Sequence, residues 1–405
     1  MAFEYQFTEE QQMLRKMVRD FATKELAPKM AEIDEEERFP KEDIKPLSEL
    51  GLFGLTIPEE YGGTNVGEVG FCIVLEELSR AGCSTYGELI GAHNGIGCLP
   101  IVMYGTKEQK EKYLPKLATG ENIACFALTE PQAGSDAANI QMSAKKEGDF
   151  YILNGTKIFI TNGPYSNVII TMAVTDRALG ARGGVTAFIV ENSYEGFSVG
   201  TIEKKMGNRG SKCCELIYDN VKVPAENVLG KVGEGFRVAL AALDDGRVSL
   251  GAGALGAAKG ALDLATKYSK QRVQFGKPIC ENQAIQWMLA NTAIKIRAAE
   301  YMVYHTASKV QEAIDCRALK GEEPPRLLRE ELSRDAAIVK VFCSEMAWEA
   351  IDNALQIYGG YGYMREYNIE RALRDSRVMR IYEGTNEIQR MIIAKEILNR
   401  DGWGD

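Results

Sequence analysis

The stretch Phe126-Ala127-Leu128-Thr129-Glu130-Pro131-Gln132-Ala133-Gly134-Ser135-Asp136 lies where the 405-residue chain changes from a helical to an extended pattern. Before it, Thr8-Glu9-Glu10-Gln11 resembles a capping box and precedes apolar residues at helical spacing. After it come β-rich runs at 150–155, 168–174, 185–190 and 215–223. Beyond Gly235 the strand signals end, and long helix-forming stretches follow at 236–269, 283–318, 327–358 and 386–399. This pattern predicts an α+β multidomain fold: an N-terminal helical domain (1–122), a middle antiparallel β-barrel or sandwich (123–233) and a C-terminal four-helix bundle (234–405).

Composition and charge exclude several classes of protein. The 48 Lys and Arg residues against 57 Asp and Glu residues give a net charge of −9, which offers no general attraction to nucleic acid or anionic lipid. The nine cysteines form no CxxC pair and only His93 and His305 supply imidazole, so no metal site is expected. Met1 to Tyr5 lack the pattern of a signal peptide, and the longest apolar runs are too short to span a membrane. These features predict a cytoplasmic protein with reduced thiols.

Two motifs near the start of the β region suit a ligand as well as a turn. In the stretch quoted above, Thr129 and Ser135 offer hydroxyl donors beside small residues, yet a polar interdomain loop would have the same composition. Phe159 and Thr161 precede Asn162-Gly163. An aromatic ring followed by a hydroxyl suits the face and edge of a planar heterocycle, and a strand end closed by an Asn-Gly turn would look the same.

Four motifs in the helical C-terminal third are equally ambiguous when taken singly. Asp244 and Arg247 have i, i+3 spacing, which fits either a solvated pair or an anion-binding arginine with its orienting carboxylate. In the stretch 272–279, Arg272 can pair with a phosphate, or the stretch can simply form a fixed corner of the chain. In the stretch 356–362, the backbone N–H groups of the glycines can contact a phosphate, or the glycines can simply end a helix. Glu383 lies in a turn between Tyr382 and Gly384, where desolvation would suit a carboxylate to proton abstraction.

Taken together and in this order, the motifs resemble those of the acyl-CoA dehydrogenase family of flavoproteins. The resemblance runs from about Phe7 to Leu398 and includes the stretches 127–136, 272–276, 356–371 and 382–386. It implies the three-domain fold predicted above, an FAD cofactor, a homotetramer, and electron transfer to an electron-transferring flavoprotein.

The resemblance also implies roles for individual residues. Residues near the flavin and the thioester would be Phe126, Leu128, Thr129, Ser135, Phe159 and Thr161, with Phe159 where many relatives have Trp. Contacts to FAD from a neighbouring subunit would come from Arg272, Phe275, Gln283, Gln356, Ile357, Gly359 and Gly360, completed by Thr385 and Glu387. Asp244 and Arg247 match residues that hold the CoA part of the substrate, and Ser135 and Gly384 match contacts near the thioester.

By the same resemblance, Glu383 is the catalytic base of an α,β-dehydrogenation. It would remove the α-proton of an acyl-CoA thioester while its own backbone N–H and a flavin hydroxyl polarise the thioester oxygen. The β-hydrogen would leave as hydride to flavin N5 and give a 2,3-enoyl-CoA. Some relatives place the base one residue before the arginine of the Asp-x-x-Arg pair, but this chain has Gly246 there.

Three positions, Gly246, Gly87 and Glu88, bear on which acyl group the protein accepts. We expect Gly246 to leave space beside the acyl chain for a short, branched, cyclic, aryl-substituted or dicarboxylic group rather than a long straight one. Glutaryl-specific relatives carry an arginine where Gly87 aligns, which argues against glutaryl-CoA. Glu88 replaces a residue that is usually apolar, and it is interpreted as a structural carboxylate, a contact to a polar substrate group, or a second base.

Three alternatives remain at this point. An acyl-CoA oxidase would use the same base with O2 as acceptor, although oxidases usually continue beyond the position of Asp405. A non-catalytic helical scaffold would retain the fold without the chemistry, against which the intact Glu383 and Arg272 argue. A serine hydrolase using Ser135 would lack the GxSxG elbow.

Overall fold

The computed structural model describes residues 7–399. Residues 1–6 and 400–405, which belong to the first and last predicted domains and include the Met1 to Tyr5 segment, lie outside the described residues. The predicted capping box is confirmed: Thr8 Oγ1 accepts from the backbone N–H of Gln11 at 3.2 Å, and the Gln11 side chain accepts from the Thr8 N–H at 3.1 Å.

The regular secondary structure between residues 7 and 120 is helical. Their bounds are α1 (Glu9–Phe21), α2 (Met30–Glu35), α3 (Ile44–Glu49), α4 (Gly67–Arg80), α5 (Ser84–Gly91), α6 (Leu99–Tyr104) and α7 (Lys107–Ala118). Two π-helical segments, Ala22–Leu26 and Ala92–Cys98, interrupt the series. Helix α4 is buried on nearly all sides, as its continuous apolar sequence predicts, and it forms the layer between the other N-terminal helices and the C-terminal ones.

The middle region is a curved sheet. Its elements are β1 (Ala124–Ala127), β2 (Ser143–Glu147), β3 (Phe150–Thr161), β4 (Val168–Val174), the helical turn α8 (Ala181–Gly184), β5 (Val185–Glu191), β6 (Phe197–Ile202), β7 (Cys213–Pro224) and β8 (Val228–Leu229). The order is β6-β7-β3-β2-β4-β5-β8, with β1 paired to β4. Thr171 on β4 bonds the Tyr218 hydroxyl on β7 at 2.9 Å across the interior, although two strands separate them in the sheet, so the sheet wraps around its own core.

The sheet is mixed, whereas the sequence predicted an antiparallel one. Strand β1 runs parallel to β4, and Ser143 of β2 pairs in parallel with Val174 at the end of β4. The β2–β3 hairpin lies between β1 and β4 in sequence, so the chain returns to the same edge before entering β4 and runs in the same direction as β1. The remaining pairs of this sheet are antiparallel.

Long helices form the C-terminal region. They are α9 (Gly235–Gln271), the small hairpin β9 (Val273–Gln274) and β10 (Lys277–Pro278), then α10 (Gln283–Lys320), α11 (Arg326–Tyr358), α12 (Ile369–Ser376) and α13 (Asn386–Asn399). Helices α9, α10 and α11 share one apolar core, and α13 packs along α11. Helix α9 also lies directly on α4, because a Cβ added to Gly256 would fall 2.0 Å from the Glu76 carbonyl oxygen. This contact fixes the middle of α9 against the N-terminal helices.

Candidate active site

The turn before α13 holds Glu383 in a left-handed backbone conformation, with φ of 56°. Such a conformation is unfavourable for a residue with a side chain and persists only where neighbours enforce it. Here the Glu383 carbonyl oxygen accepts hydrogen bonds from Gln389 Nε2 at 2.9 Å and Arg247 Nε at 3.3 Å. Gly384 follows with φ of 85°, and a Cβ at this position would lie 2.4 Å from Gln389 Nε2. The buried Gln389 therefore locks the turn and requires glycine after Glu383.

The Glu383 carboxylate is enclosed by the protein. Its Oε2 is shielded from solvent and has no hydrogen-bond partner among residues 7–399. The carboxylate lies on the α9 backbone, where a Cβ added to Gly246 would be 2.8 Å from Oε2. Gly246 also lines the cavity beside Glu383, so the expectation that it leaves space beside an acyl chain stays a prediction.

Charges around Glu383 act in opposite directions. Burial raises the pKa of Glu383 to about 7, while Arg247 and Lys340 oppose the rise and Asp245 adds to it. Lys340 is fully buried on α11, and its Nζ donates to Asn386 Oδ1 at 2.7 Å. Burial lowers the pKa of Lys340 to about 8. A carboxylate whose pKa lies near neutrality can exchange a proton at physiological pH.

Besides Glu383, two more buried carboxyl groups, those of Glu68 and Asp245, form a pair next to Gly246. Glu68 on α4 and Asp245 on α9 are both almost fully buried and adjacent to each other. Burial raises the pKa of Glu68 well above its usual range, with a further contribution from Asp245, and burial raises the pKa of Asp245 to about 6. Two carboxyl groups that lie close together in a desolvated site are not both ionised, because each opposes the charge of the other. No motif indicated this pair, since the two residues come from distant segments of the sequence.

A cavity of about 110 Å³ opens beside Glu383. Three predicted residues, Thr161, Glu88 and Gly246, line it with Glu383. The remaining wall comes from α4, α5, α9, the loop before β7 and the segment before Glu383, through Leu75, Ser79, Ser84, Gly87, Gly91, Ala92, Ile96, Asn208, Ser249, Leu250, Gly253, Met379 and Tyr382.

The Asp244–Arg247 pair is buried rather than solvated. Arg247 donates from Nη1 to Asp244 Oδ1 at 2.7 Å, and its Nε reaches the Glu383 carbonyl oxygen. Burial raises the pKa of Asp244, against the opposing charge of Arg247. Of the two interpretations of this pair, an arginine oriented by a carboxylate fits the geometry.

The 126–136 stretch is held by a buried lysine. Phe126 and Leu128 lie in the core, and Lys157 on β3 donates from Nζ to the Leu128 carbonyl oxygen at 2.9 Å and to Glu130 Oε1 at 2.7 Å. The Thr129 carbonyl oxygen accepts from the Ile158 N–H at 2.9 Å. Ser135 lies exposed farther along the loop. The sequence did not indicate Lys157, because a lysine in a β-strand usually faces solvent.

Phe159 projects from a bulge in β3. The register between β3 and β7 shifts between Lys157 and Ile160, and Phe159 has φ of 58° with 61% of its surface exposed. Two residues later Thr161 reaches the Glu383 cavity, and Asn162 turns the chain with φ of 65° while its Nδ2 donates to the Leu89 carbonyl oxygen at 3.1 Å. The strand end is thus an Asn-Gly turn that presents an exposed aromatic ring, and the role of that ring against a heterocycle stays a prediction.

A separate, larger pocket of about 490 Å³ lies at the far end of α9. It brings together the predicted residues Arg272, Ile357, Gly359 and Gly360. Gly246, which contacts Glu383, is 25 residues before the end of α9 (271 minus 246), so Glu383 lies roughly 40 Å from that end at 1.5 Å per residue. The other predicted residues of this group lie on the surface or at the start of α13: Phe275 is fully exposed, Gln283, Gln356 and Glu387 are exposed, and Thr385 caps α13.

Comparison with known proteins identifies the fold. Three family profiles match in chain order: the acyl-CoA dehydrogenase N-terminal domain over residues 8–121, the middle domain over 125–221 and the C-terminal domain over 233–398. The chain belongs to the acyl-CoA dehydrogenase family.

Relatives of this family member match it over almost their whole length. An acyl-CoA dehydrogenase of Bacillus subtilis (strain 168) is 46% identical over 96% of this chain and 98% of the relative. The butyryl-CoA dehydrogenase structure from Megasphaera elsdenii has a TM-score of 0.91 and 41% identity, covering 98% of this chain and 100% of that chain. A chain in the structure of the electron-transferring flavoprotein of Acidaminococcus fermentans has a TM-score of 0.91 and 43% identity, covering 98% and 100% respectively.

Several predictions from the sequence are thereby confirmed. This acyl-CoA dehydrogenase family member has the expected fold of helical outer domains and a central sheet, and it belongs to a family of FAD-dependent oxidoreductases. Among residues 7–399, no helix is both long and apolar enough to cross a bilayer.

Proposed function

We propose that the protein dehydrogenates an acyl-CoA thioester to the 2,3-enoyl-CoA, with Glu383 as the base that accepts the α-proton. The observation that carries the proposal is the enclosed, unpartnered Glu383 Oε2 at the wall of a cavity, on a carboxyl whose pKa burial raises to about 7. A carboxylate left without a partner in a dry site is costly unless a ligand supplies a proton to bind.

The turn supports a second role for Glu383. Its backbone N–H has no acceptor within the described part of the chain, whereas its carbonyl oxygen is held by Gln389 and Arg247. A fixed N–H donor that faces a substrate oxygen stabilises negative charge as it develops there. We assign this N–H to the thioester oxygen, so that one residue both takes the proton and stabilises the enolate.

Residues around the cavity fit a flavin. Phe159 presents an exposed ring from a backbone conformation that costs free energy, which is explained if a planar apolar ring system covers it. When bound, FAD supplies the acceptor for the hydrogen and the two electrons that leave the β-carbon. The residues that we expect to hold it near the reacting carbons are Phe126, Leu128, Thr129, Ser135, Phe159 and Thr161.

The pocket at the far end of α9 supports binding of a flavin that belongs to a second copy of the chain. Arg272, Gly359 and Gly360 form it roughly 40 Å from Glu383, too far to serve the same site within one protomer. Phe275, at the tip of the β9–β10 hairpin, is fully exposed with φ of 52°. Such a ring is stabilised when a partner surface buries it.

Helix α10 supports a homotetramer or another assembly of identical chains. Trp287, Ile294 and Tyr301 recur every seven residues, so that they lie on one exposed face of the helix.

For the electron acceptor we propose an electron-transferring flavoprotein, because a chain in such a structure from Acidaminococcus fermentans matches this one over its full length. A cytoplasmic location is supported by the nine cysteines, none of which forms a disulfide.

The test is anaerobic mixing of the purified flavoprotein with butyryl-CoA while flavin absorbance is followed. We expect rapid bleaching by the wild type and none by Glu383→Gln at equal FAD content, while the exposed-site control Glu226→Gln behaves as wild type. Bleaching by Glu383→Gln at a rate close to wild type would refute the assignment. Admitting O2 or an electron-transferring flavoprotein to the reduced enzyme then separates an oxidase from a dehydrogenase, since only an oxidase forms peroxide at a rate that matches turnover.

A further inference from the structure

The wall of the Glu383 cavity formed by α5 carries polar groups. Glu88 on α5 accepts a hydrogen bond at its Oε1 from Asn208 Nδ2, at 2.5 Å. Both residues line the same cavity as Glu383, and Ser84 lines it one turn earlier on α5. We call Glu88, Asn208 and Ser84 the polar corner.

Asn208 has a buried hydrogen-bond acceptor without a partner. Only 3% of this residue is exposed, and its Oδ1 is shielded from solvent with no hydrogen-bond partner among residues 7–399. An unpaired buried carbonyl oxygen costs about 1–3 kcal/mol, a cost that a donor on a bound molecule removes. A purely structural role for Glu88 would not explain why this oxygen is left unpaired at a cavity wall.

Rigid supports hold the polar corner in place. Asp375 accepts from the Asn208 N–H at 2.6 Å and from Ser84 Oγ at 2.7 Å. Lys205 Nζ donates to the backbone carbonyl oxygens of Asn208, at 2.8 Å, and Ser211. Because the backbone on both sides of Asn208 is fixed, its amide cannot withdraw from the cavity to find another partner.

The groups that this corner offers to a ligand are acceptors. Asn208 Oδ1 accepts, and so does the Glu88 carboxylate in its ionised form; burial raises the pKa of Glu88 to about 7, and the charge of Lys205 opposes the rise. Ser84 Oγ, which donates to Asp375, is left with its lone pairs. The nearest cation, Lys205, is occupied by the two carbonyl oxygens beneath the corner. A donor on the ligand is therefore the complementary group.

We propose that the polar corner selects an acyl-CoA whose acyl chain carries a hydrogen-bond donor, a hydroxyl or a primary ammonium, beyond the reacting carbons. This inference rests on the proposed dehydrogenation. A plain alkyl end in this position leaves Asn208 Oδ1 unpaired, and sites built around buried polar groups discriminate strongly against analogues that cannot pair with them. Glu88 thus acts in substrate choice rather than as a second base.

Three acyl-CoA esters of matched size test the proposal: hexanoyl-CoA, 5-hydroxypentanoyl-CoA and 5-aminopentanoyl-CoA, which end in CH3, OH and NH3+. The initial rate of anaerobic flavin bleaching gives kcat/KM for each with wild type, Glu88→Gln, Glu88→Met and the exposed-site control Glu59→Gln. We expect the wild type to prefer at least one donor-bearing ester over hexanoyl-CoA by about tenfold or more. Glu88→Met should reverse the order, and Glu59→Gln should keep it.

The two donor-bearing esters separate the two forms of the ligand. A wild-type preference for 5-aminopentanoyl-CoA that Glu88→Gln abolishes supports the ammonium, because glutamine cannot pair with its charge. A wild-type preference for the hydroxy ester that Glu88→Gln retains supports the hydroxyl. Equal rates for all three esters in the wild type, or an equal slowing of all three in Glu88→Met with normal FAD content, would overturn the inference. Failure of every ester and of butyryl-CoA to bleach the flavin would instead refute the proposed dehydrogenation.

Discussion

Replacing Glu383 by glutamine should stabilise the folded protein at alkaline pH while removing its activity. The carboxylate is enclosed and Oε2 is unpartnered, so ionisation in the folded state is opposed by desolvation. In the unfolded chain the same group is hydrated and ionises at its ordinary pKa. The folded protein therefore holds the proton more tightly than the unfolded chain, and folding becomes less favourable as the pH rises between the two pKa values.

The size of the effect follows from those two values. The pKa of Glu383 rises from 4.5 to about 7 on folding. At about 1.36 kcal/mol for each pH unit, the cost of the buried charge is about 3 kcal/mol. It is absent well below pH 4.5, where the group is protonated in both states, and complete above about pH 7. Glutamine has the same shape without the charge and should escape this cost.

The assay is urea unfolding of wild type and Glu383→Gln, both saturated with FAD at one protein concentration, at about pH 5 and about pH 8.5. We expect the free energy of unfolding of the variant, relative to wild type, to increase by about 2–3 kcal/mol between these pH values. Glu226→Gln, in which an exposed carboxylate is lost, should give a difference that does not change with pH. A flat difference for Glu383→Gln would show that the carboxylate is hydrated, which contradicts the enclosed site.

Three further outcomes follow from the same contacts. In wild type, the rate of flavin bleaching by butyryl-CoA should rise with pH and level off above about pH 7, since only the ionised Glu383 accepts a proton; a rate that falls with pH would exclude it as the base. Gly246→Ala should slow bleaching by about tenfold to a hundredfold at normal FAD content, because the new Cβ meets the Glu383 carboxylate at 2.8 Å and displaces it, and an unchanged rate would contradict the contact. Lys157→Met should lower the free energy of unfolding by about 3–5 kcal/mol in urea by leaving Glu130 charged and buried, and a loss below about 1 kcal/mol would mean that the pair is hydrated.

The helices of the C-terminal region could be predicted closely because their signals are local. The predicted stretch 327–358 corresponds to α11 at Arg326–Tyr358, and α13 begins and ends where the sequence indicated. The direction of β1 could not be predicted, because the composition of a strand carries no record of which neighbour it pairs with. The short helix α12 was also missed, since its eight residues are too few for a clear periodicity.

The site shows the same division between local and distant information. Glu383, Thr161 and Arg247, which the motifs singled out, lie around one cavity or its supports. The groups that hold or tune them, Gln389, Lys340 and the Glu68–Asp245 pair, could not be found from spacing, because burial and tertiary contact give them their properties. The contact between Gly246 and the Glu383 carboxylate could not be predicted for the same reason, because the two residues are distant in sequence.

The length of α9 determines whether two inactive variants of the protein can restore activity when they assemble into one oligomer. If the pocket at one end serves the flavin of a neighbour while the cavity near the other end serves its own, each reaction centre is shared between two polypeptides. A chain lacking the Glu383 carboxylate still lends an intact Arg272 to its neighbour, and a chain lacking Arg272 still owns an intact base. In a mixed oligomer of the two variants, a reaction centre is active when it combines Glu383 from one variant with Arg272 from the other. Two variants that are each inactive alone can therefore complement each other.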